Sequence, residues 1–170
     1  MNARPRSGAP NRAERSRSPH RTVQQLTAIH ATVAERLNHA EARYTKRRRA
    51  LVDVLANASQ PLTVEEIQAA SAAPQSSVYR NLTVLEEAHL VHRLTNNNSD
   101  YARYELAEDL LGHHHHLACA TCGTMTDIVL PNQLEADLDR VLALLARKQR
   151  FTIDGHRLDI IGTCATCADP

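Results

Sequence analysis

Two Cys-x-x-Cys pairs, Cys119/Cys122 and Cys164/Cys167, constrain this chain more than any other feature, and they use every cysteine among its 170 residues. A two-residue spacer lets a tight turn present both thiolates to one ion, and zinc binds four such ligands tetrahedrally at about 2.3 Å. The chain end must therefore return to the segment near residue 120 and be clamped there. Disulfides or a redox-active Cys-x-x-Cys are the competing readings. So few cysteines in so long a chain do not make a disulfide scaffold, and two mirrored pairs suit a shared zinc better.

His113, His114, His115 and His116 run directly into Leu117-Ala118-Cys119. If Cys119 ends a strand, the histidines lie on it, and successive side chains point to opposite faces. His114 and His116 then share one face, and His113 and His115 the other, so each pair can seed a separate metal site. An expression tag would sit at a terminus, whereas this run is internal. A solvated polar loop is the alternative. Neutral imidazole is an available ligand near pH 7.

The chain is 42% hydrophobic with one Phe and no Trp, which predicts an aliphatic core. No stretch approaches the roughly 20 apolar residues of a membrane span. No apolar segment follows the basic start, so secretion is not expected; a mitochondrial transit peptide is a minor alternative for an Arg- and Ser-rich start. Reduced thiols agree with a cytoplasmic setting. Net charge of +1 conceals an asymmetry: residues 1–50 hold twelve Lys/Arg against three Asp/Glu, and residues 51–170 eight against sixteen. A basic front and an acidic back suit a polyanion-binding half joined to a metal-binding half.

Residues 1–21 lack periodicity and are expected to form a disordered basic arm. From Thr22, Val23, Leu26, Ile29, His30, Val33 and Leu37 recur at helical spacing. A second helix is predicted over Lys46 to Asn57, with Leu51, Val52, Val54 and Leu55 inward. Thr63 and Glu66 form a capping box that opens a short helix. Pro74 begins a further helix to Ala88, with Val78, Leu82, Leu85 and Ala88 as its apolar stripe. Strands over Leu90–Thr95 and Tyr101–Leu106 flank the polar turn Asn96 to Asp100. This pattern predicts a winged helix-turn-helix over residues 22–106, with the Pro74 helix entering the major groove of double-stranded DNA. On that helix Gln75, Ser76, Ser77, Tyr79 and Arg80 are candidate DNA contacts, and Tyr44 and Arg48 are candidate phosphate contacts. Residues 107–170 read as a small α/β domain: the histidine strand, the first cysteine turn, a strand Met125–Val129, a helix Asn132–Lys148 and a last strand Phe151–Ile161. The apolar face of that helix, Leu134, Leu138, Val141, Leu142 and Leu145, is expected to be core, and a sheet edge is left to pair with a second copy. The whole is α+β.

The run Ser77-Val78-Tyr79-Arg80-Asn81-Leu82 through Leu85-Glu86-Glu87-Ala88, the stretch His113 to Gly123, and the closing Gly162-Thr163-Cys164-Ala165-Thr166-Cys167 resemble the ferric uptake regulator (Fur) superfamily over about residues 43–168. The resemblance implies a homodimeric, metal-dependent transcriptional repressor, with the winged helix first and a dimerisation domain second. It places a sensor site on Glu105, His114 and His116, with Asp127 and His92 as additions, His92 matching the zinc-responsive branch. A second site falls on His113, His115, Glu135 and His156. Both agree with the strand-parity argument. Pro61 stands where iron-type members carry a sensor histidine, His89 stands where a glycine usually precedes the wing, and no cysteine lies near Glu105. A nitrogen and oxygen donor set accepts several divalent metals, with Zn2+ or Fe2+ the leading regulatory ions beside structural Zn2+.

A metal-responsive DNA-binding regulator, not an enzyme, is the expected function. A peroxide-sensing repressor of the same fold is the alternative, weakened by glutamate rather than aspartate at position 105. A metallohydrolase is disfavoured, because no His-Glu-x-x-His helix exists.

Overall fold

The computed structural model describes residues 21–95 and 102–168. The expected arm (except Arg21), the polar turn and Tyr101 lie outside the described residues. Helix α1 (Val23–His39) starts on a capping box between Thr22 and Gln25 and buries Ile29, His30, Val33 and Leu37. Val23, assigned above to the same stripe, is exposed because it precedes the first turn that meets the core. Helix α2 (Lys46–Asn57) begins at Thr45 and buries Leu51, Val52, Leu55 and Ala56, leaving Val54 half-buried.

Strand β1 (Leu62–Thr63) leads into α3 (Val64–Ser71), whose Thr63–Glu66 capping box forms as the spacing predicts. Helix α4 (Gln75–Glu87) takes Pro74 as its N-cap and buries Ser77, Val78, Leu82 and Leu85. His89 then adopts φ +54°, a left-handed conformation usually taken by glycine, and turns the chain into the wing. Strands β2 (Val91–Leu94) and β3 (Arg103–Leu106) pair antiparallel, and β1 adds to the far edge of β3. Tyr104 and Leu106 face the aliphatic core with Leu51, Ile67, Leu82, Leu85 and Leu90. Arg103 and Glu105 take the other face of β3.

A short helix α5 (Glu108–Leu111) packs its leucines on the same core and leads into β4 (His115–Cys119). Strand β5 (Met125–Ile128) pairs antiparallel with β4, and β6 (Asp159–Gly162) pairs parallel with it, giving the order β5-β4-β6. Helices α6 (Asn132–Gln149) and α7 (Ala165–Ala168) complete the fold.

Two further expectations fail in the second half of the chain. Helix α6 contributes no buried residue: Leu134, Val141, Leu144 and Leu145 are 49–60% exposed, so its apolar face is not core of this chain. The last strand is also short, because β4 offers pairing only to Asp159–Gly162 and the stretch 151–158 finds no strand among the described residues. Phe151 is left 69% exposed. No helix of the described residues is long and apolar enough to cross a membrane.

Candidate metal centres and nucleic-acid interface

The described residues hold three clusters of metal-binding side chains, each with ligand atoms within 4.8 Å of one another. The first gathers Cys119, Cys122, Cys164 and Cys167. Register brings them together, since Cys119 at the end of β4 lies beside Gly162 of β6, two residues before Cys164. All four are free thiols. Cys122 and Cys164 sulfurs are 3.7 Å apart. Tetrahedral zinc with 2.3 Å bonds requires an edge of about 3.8 Å. Backbone N–H groups of Cys122, Cys164 and Thr121 hold the Cys119 thiol down at about 6. Cys167 is instead pushed up to about 12, first by its thiol neighbours Cys164 and Cys122. Four adjacent thiolates need a cation to coexist, and the donor set fits zinc.

The second cluster is Glu105, His114, His116 and Asp127, all buried. Glu105 comes from the wing, whereas His116 and Asp127 are register partners on β4 and β5. His114 Nε2 is 3.0 Å and His116 Nε2 3.4 Å from the same Glu105 oxygen. His116 Nε2 is 3.7 Å from Asp127. Burial would raise the Glu105 carboxyl, but hydrogen bonds and attraction from His114 and His116 outweigh it and hold it at about 2. Burial would likewise lower His116, and Glu105, Asp159 and Asp127 together raise it instead. Asp159, which sequence reasoning missed, accepts from His116 Nδ1 at 3.0 Å; the signal for it is parallel pairing with β6, invisible without the register. His92 lies opposite Glu105 in the hairpin but is exposed and stands outside this cluster.

The third cluster is His113, His115, Glu135 and His156, on β4, its approach, α6 and the 151–158 stretch. His115 is fully buried, with Nε2 2.8 Å from Glu135. His113 and His156 stand 3.4 and 3.5 Å from the other Glu135 oxygen. Among the described residues, His115 Nδ1 and His156 Nε2 are buried without a hydrogen-bond partner, a defect that bound metal can relieve at His156. His156 was expected in a strand and instead sits in the unpaired stretch. A cleft of about 700 Å³ opens beside this cluster, lined in part by His92, Glu108, Asp139 and Asp154.

The basic, DNA-facing expectations divide. Gln75, Ser76, Tyr79 and Arg80 are exposed on α4. Ser77 is not: it is 5% exposed, and its hydroxyl and carbonyl accept from Asn81. Tyr44 turns inward, its hydroxyl 2.6 Å from His30 Nδ1, while His30 Nε2 meets Asp53 at 2.8 Å. Burial above all pushes the Tyr44 phenol up to about 12. The half-buried Arg48 bonds the Arg43 carbonyl. Lys46, Arg47 and Arg49 keep exposed positions on the same helix.

A winged helix joined to a sheet that carries a four-thiolate centre and two histidine–carboxylate centres defines a metal-binding transcription regulator. The chain belongs to the Ferric uptake regulator family, whose profile matches residues 39–161. It is 30% identical over 138 residues to the ferric uptake regulation protein of Campylobacter upsaliensis, covering 77% of this chain and 83% of that one. It is 32% identical to the peroxide operon regulator of Bacillus subtilis, covering 79% and 90%. The structure of the Helicobacter pylori ferric uptake regulator, described as having three functional metal binding sites, superposes with a TM-score of 0.67 at 25% identity, covering 85% of this chain and 95% of that one.

Proposed function

We propose that this chain is a homodimeric repressor that binds operator DNA when a divalent ion, Zn2+ or Fe2+, occupies Glu105, His114, His116 and Asp127, and that it thereby controls metal homeostasis. Residues 22–106 serve as the reading unit and residues 107–170 as the dimerisation unit. The observation that carries this reading is the origin of the ligands: Glu105 belongs to the wing, and the other three belong to the second sheet or its approach. An ion there joins the two units and fixes the angle at which paired α4 helices meet successive major grooves. The four-thiolate centre holds structural Zn2+. The third cluster ties the 151–158 stretch to α6 inside the dimerisation unit. Gln75, Ser76, Tyr79 and Arg80 are the base- and phosphate-reading residues, and the exposed apolar face of α6 meets its copy in the dimer. Support comes from family membership and from the three donor sets.

The test is operator binding by His114→Ala/His116→Ala, using duplexes selected from a random library by the wild-type protein. Wild-type binding is expected to require added Zn2+ or Fe2+, and the variant to lose that requirement together with high affinity, while retaining one thiolate-bound zinc per chain. Unchanged metal-dependent binding by the variant refutes the hinge assignment.

A further inference from the structure

Arg103 opens β3 two residues before Glu105, on the same face of the strand. Its side chain is 12% exposed. The guanidinium donates from Nε to the Gly123 carbonyl at 3.0 Å, and from Nη1 to the Pro61 carbonyl at 3.0 Å and Glu66 Oε2 at 3.3 Å. These acceptors belong to different parts of the molecule. Gly123 follows Cys122 in the cysteine turn, has φ +71°, and donates its own N–H to the Cys119 carbonyl. Pro61 precedes β1, and Glu66 closes the capping box of α3. Helix α3 packs directly on α4. Leu94, the register partner of Arg103 on β2, meets Ala118 and Met125 in a small buried cluster.

We propose that Arg103 is a positioning residue that links the conformation of the first cysteine turn to the DNA-reading helices. The Gly123 carbonyl points at Arg103 only while the turn is wrapped around its gathered sulfurs. If the turn opens, the cation loses one of its three acceptors, and its hold on Pro61 and Glu66 loosens. The thiolate centre is then part of the joint between the units as well as a local staple. A planar fork spans these acceptors, whereas a single ammonium reaches only one side, so lysine is no substitute. This inference rests on the DNA-binding reading above, but its first test needs no DNA.

Hydrogen–deuterium exchange of the full chain provides that test, comparing wild type with Arg103→Gln. Both proteins are first treated with EDTA so that only thiolate-bound zinc remains, and are measured before and after that zinc is extracted under reducing conditions. In wild type, extraction is expected to speed exchange over residues 63–71 by about tenfold, equivalent to ~1.4 kcal/mol. In Arg103→Gln the segment should already exchange about tenfold faster with zinc bound, and extraction should add less than about twofold. Equal acceleration in both proteins, or none in wild type, overturns the proposal. Arg103→Lys keeps the charge and carries the comparison if the Gln variant does not fold. It should behave like Gln, and a wild-type response from Lys also overturns the proposal. Operator binding by Arg103→Gln at saturating metal is expected to be about tenfold weaker. Absence of operator binding by wild type as well would refute the DNA-binding reading, while the exchange result would still decide the link.

Discussion

Glu105→Gln alters the charge of the hinge cluster while keeping its shape. In the metal-free protein the Glu105 carboxyl is displaced from 4.5 to about 2 by His114 and His116 despite burial. That displacement corresponds to on the order of 3 kcal/mol, of which a neutral amide recovers about 1 kcal/mol through its own hydrogen bond. The variant should therefore be less stable by about 2 kcal/mol near pH 6. The pH dependence follows from both partners. The lowered Glu105 contributes stability that is present above 4.5 and lost only as pH falls toward 2. The raised His116 contributes stability that is fully present below 6.5 and lost as pH rises through its folded value. The difference between wild type and variant should be largest from about pH 5 to 6.5 and shrink at higher pH. Urea denaturation at fixed protein concentration, after EDTA treatment that leaves thiolate-bound zinc, measures it. A difference constant from about pH 5 to 9 would refute charge-assisted pairing within this cluster.

Binding of Zn2+ at the hinge should release protons at pH 6 and progressively fewer as pH rises through the elevated His116 value, read by titration in two buffers of different ionisation enthalpy. Arg80→Ala should weaken operator binding by about 1–3 kcal/mol. Ser77→Ala should instead lower unfolding stability by about 1 kcal/mol with little change in metal-saturated affinity, since its hydroxyl faces Asn81; a gel shift beside thermal melts separates the two. Val141→Asp, placing charge at a 52% exposed position on the apolar face of α6, should leave the monomer folded and shift sedimentation from dimer to monomer.

The winged helix was largely legible because its signals are local. The Thr63–Glu66 box and the 3.6-residue stripe of α4 depend on neighbours within a turn or two. The two histidine faces were legible for a similar reason, although β4 begins only at His115: His113 and His114 were expected on the strand and lie in its approach, where the alternation continues. What escaped depends on distant partners. Tyr44 looked like a surface phenol, and its inward turn is decided by His30 and Asp53 on two helices. Asp159 joins His116 only through parallel pairing with β6. The leucines of α6 have the periodicity of a core helix, and periodicity alone does not say whether the complementary surface belongs to the same chain.

Strand β3 shows why those long-range contacts matter for function. Tyr104 and Leu106 anchor one of its faces in the aliphatic core, which ties the strand to the helices of the proposed reading unit. Its other face carries Arg103 and Glu105, which reach the second sheet and its approaches at two separate points. Beside the apolar contact of Leu94 with Ala118 and Met125, two polar contacts along a rigid strand constrain an orientation more than either alone. On the function proposed above, the Arg103 contact depends on a turn whose four thiolates would hold zinc tightly, and the Glu105 contact on histidines and carboxylates, a donor set that exchanges an ion more readily. On that reading the first would limit the range of domain angles and the second would select within it. Removing both through Arg103→Gln/Glu105→Gln should therefore weaken operator affinity by less than the sum of the single effects, because the second loss acts on an orientation already released. Strict additivity in metal-saturated operator binding would mean that the two contacts act on different properties of the protein.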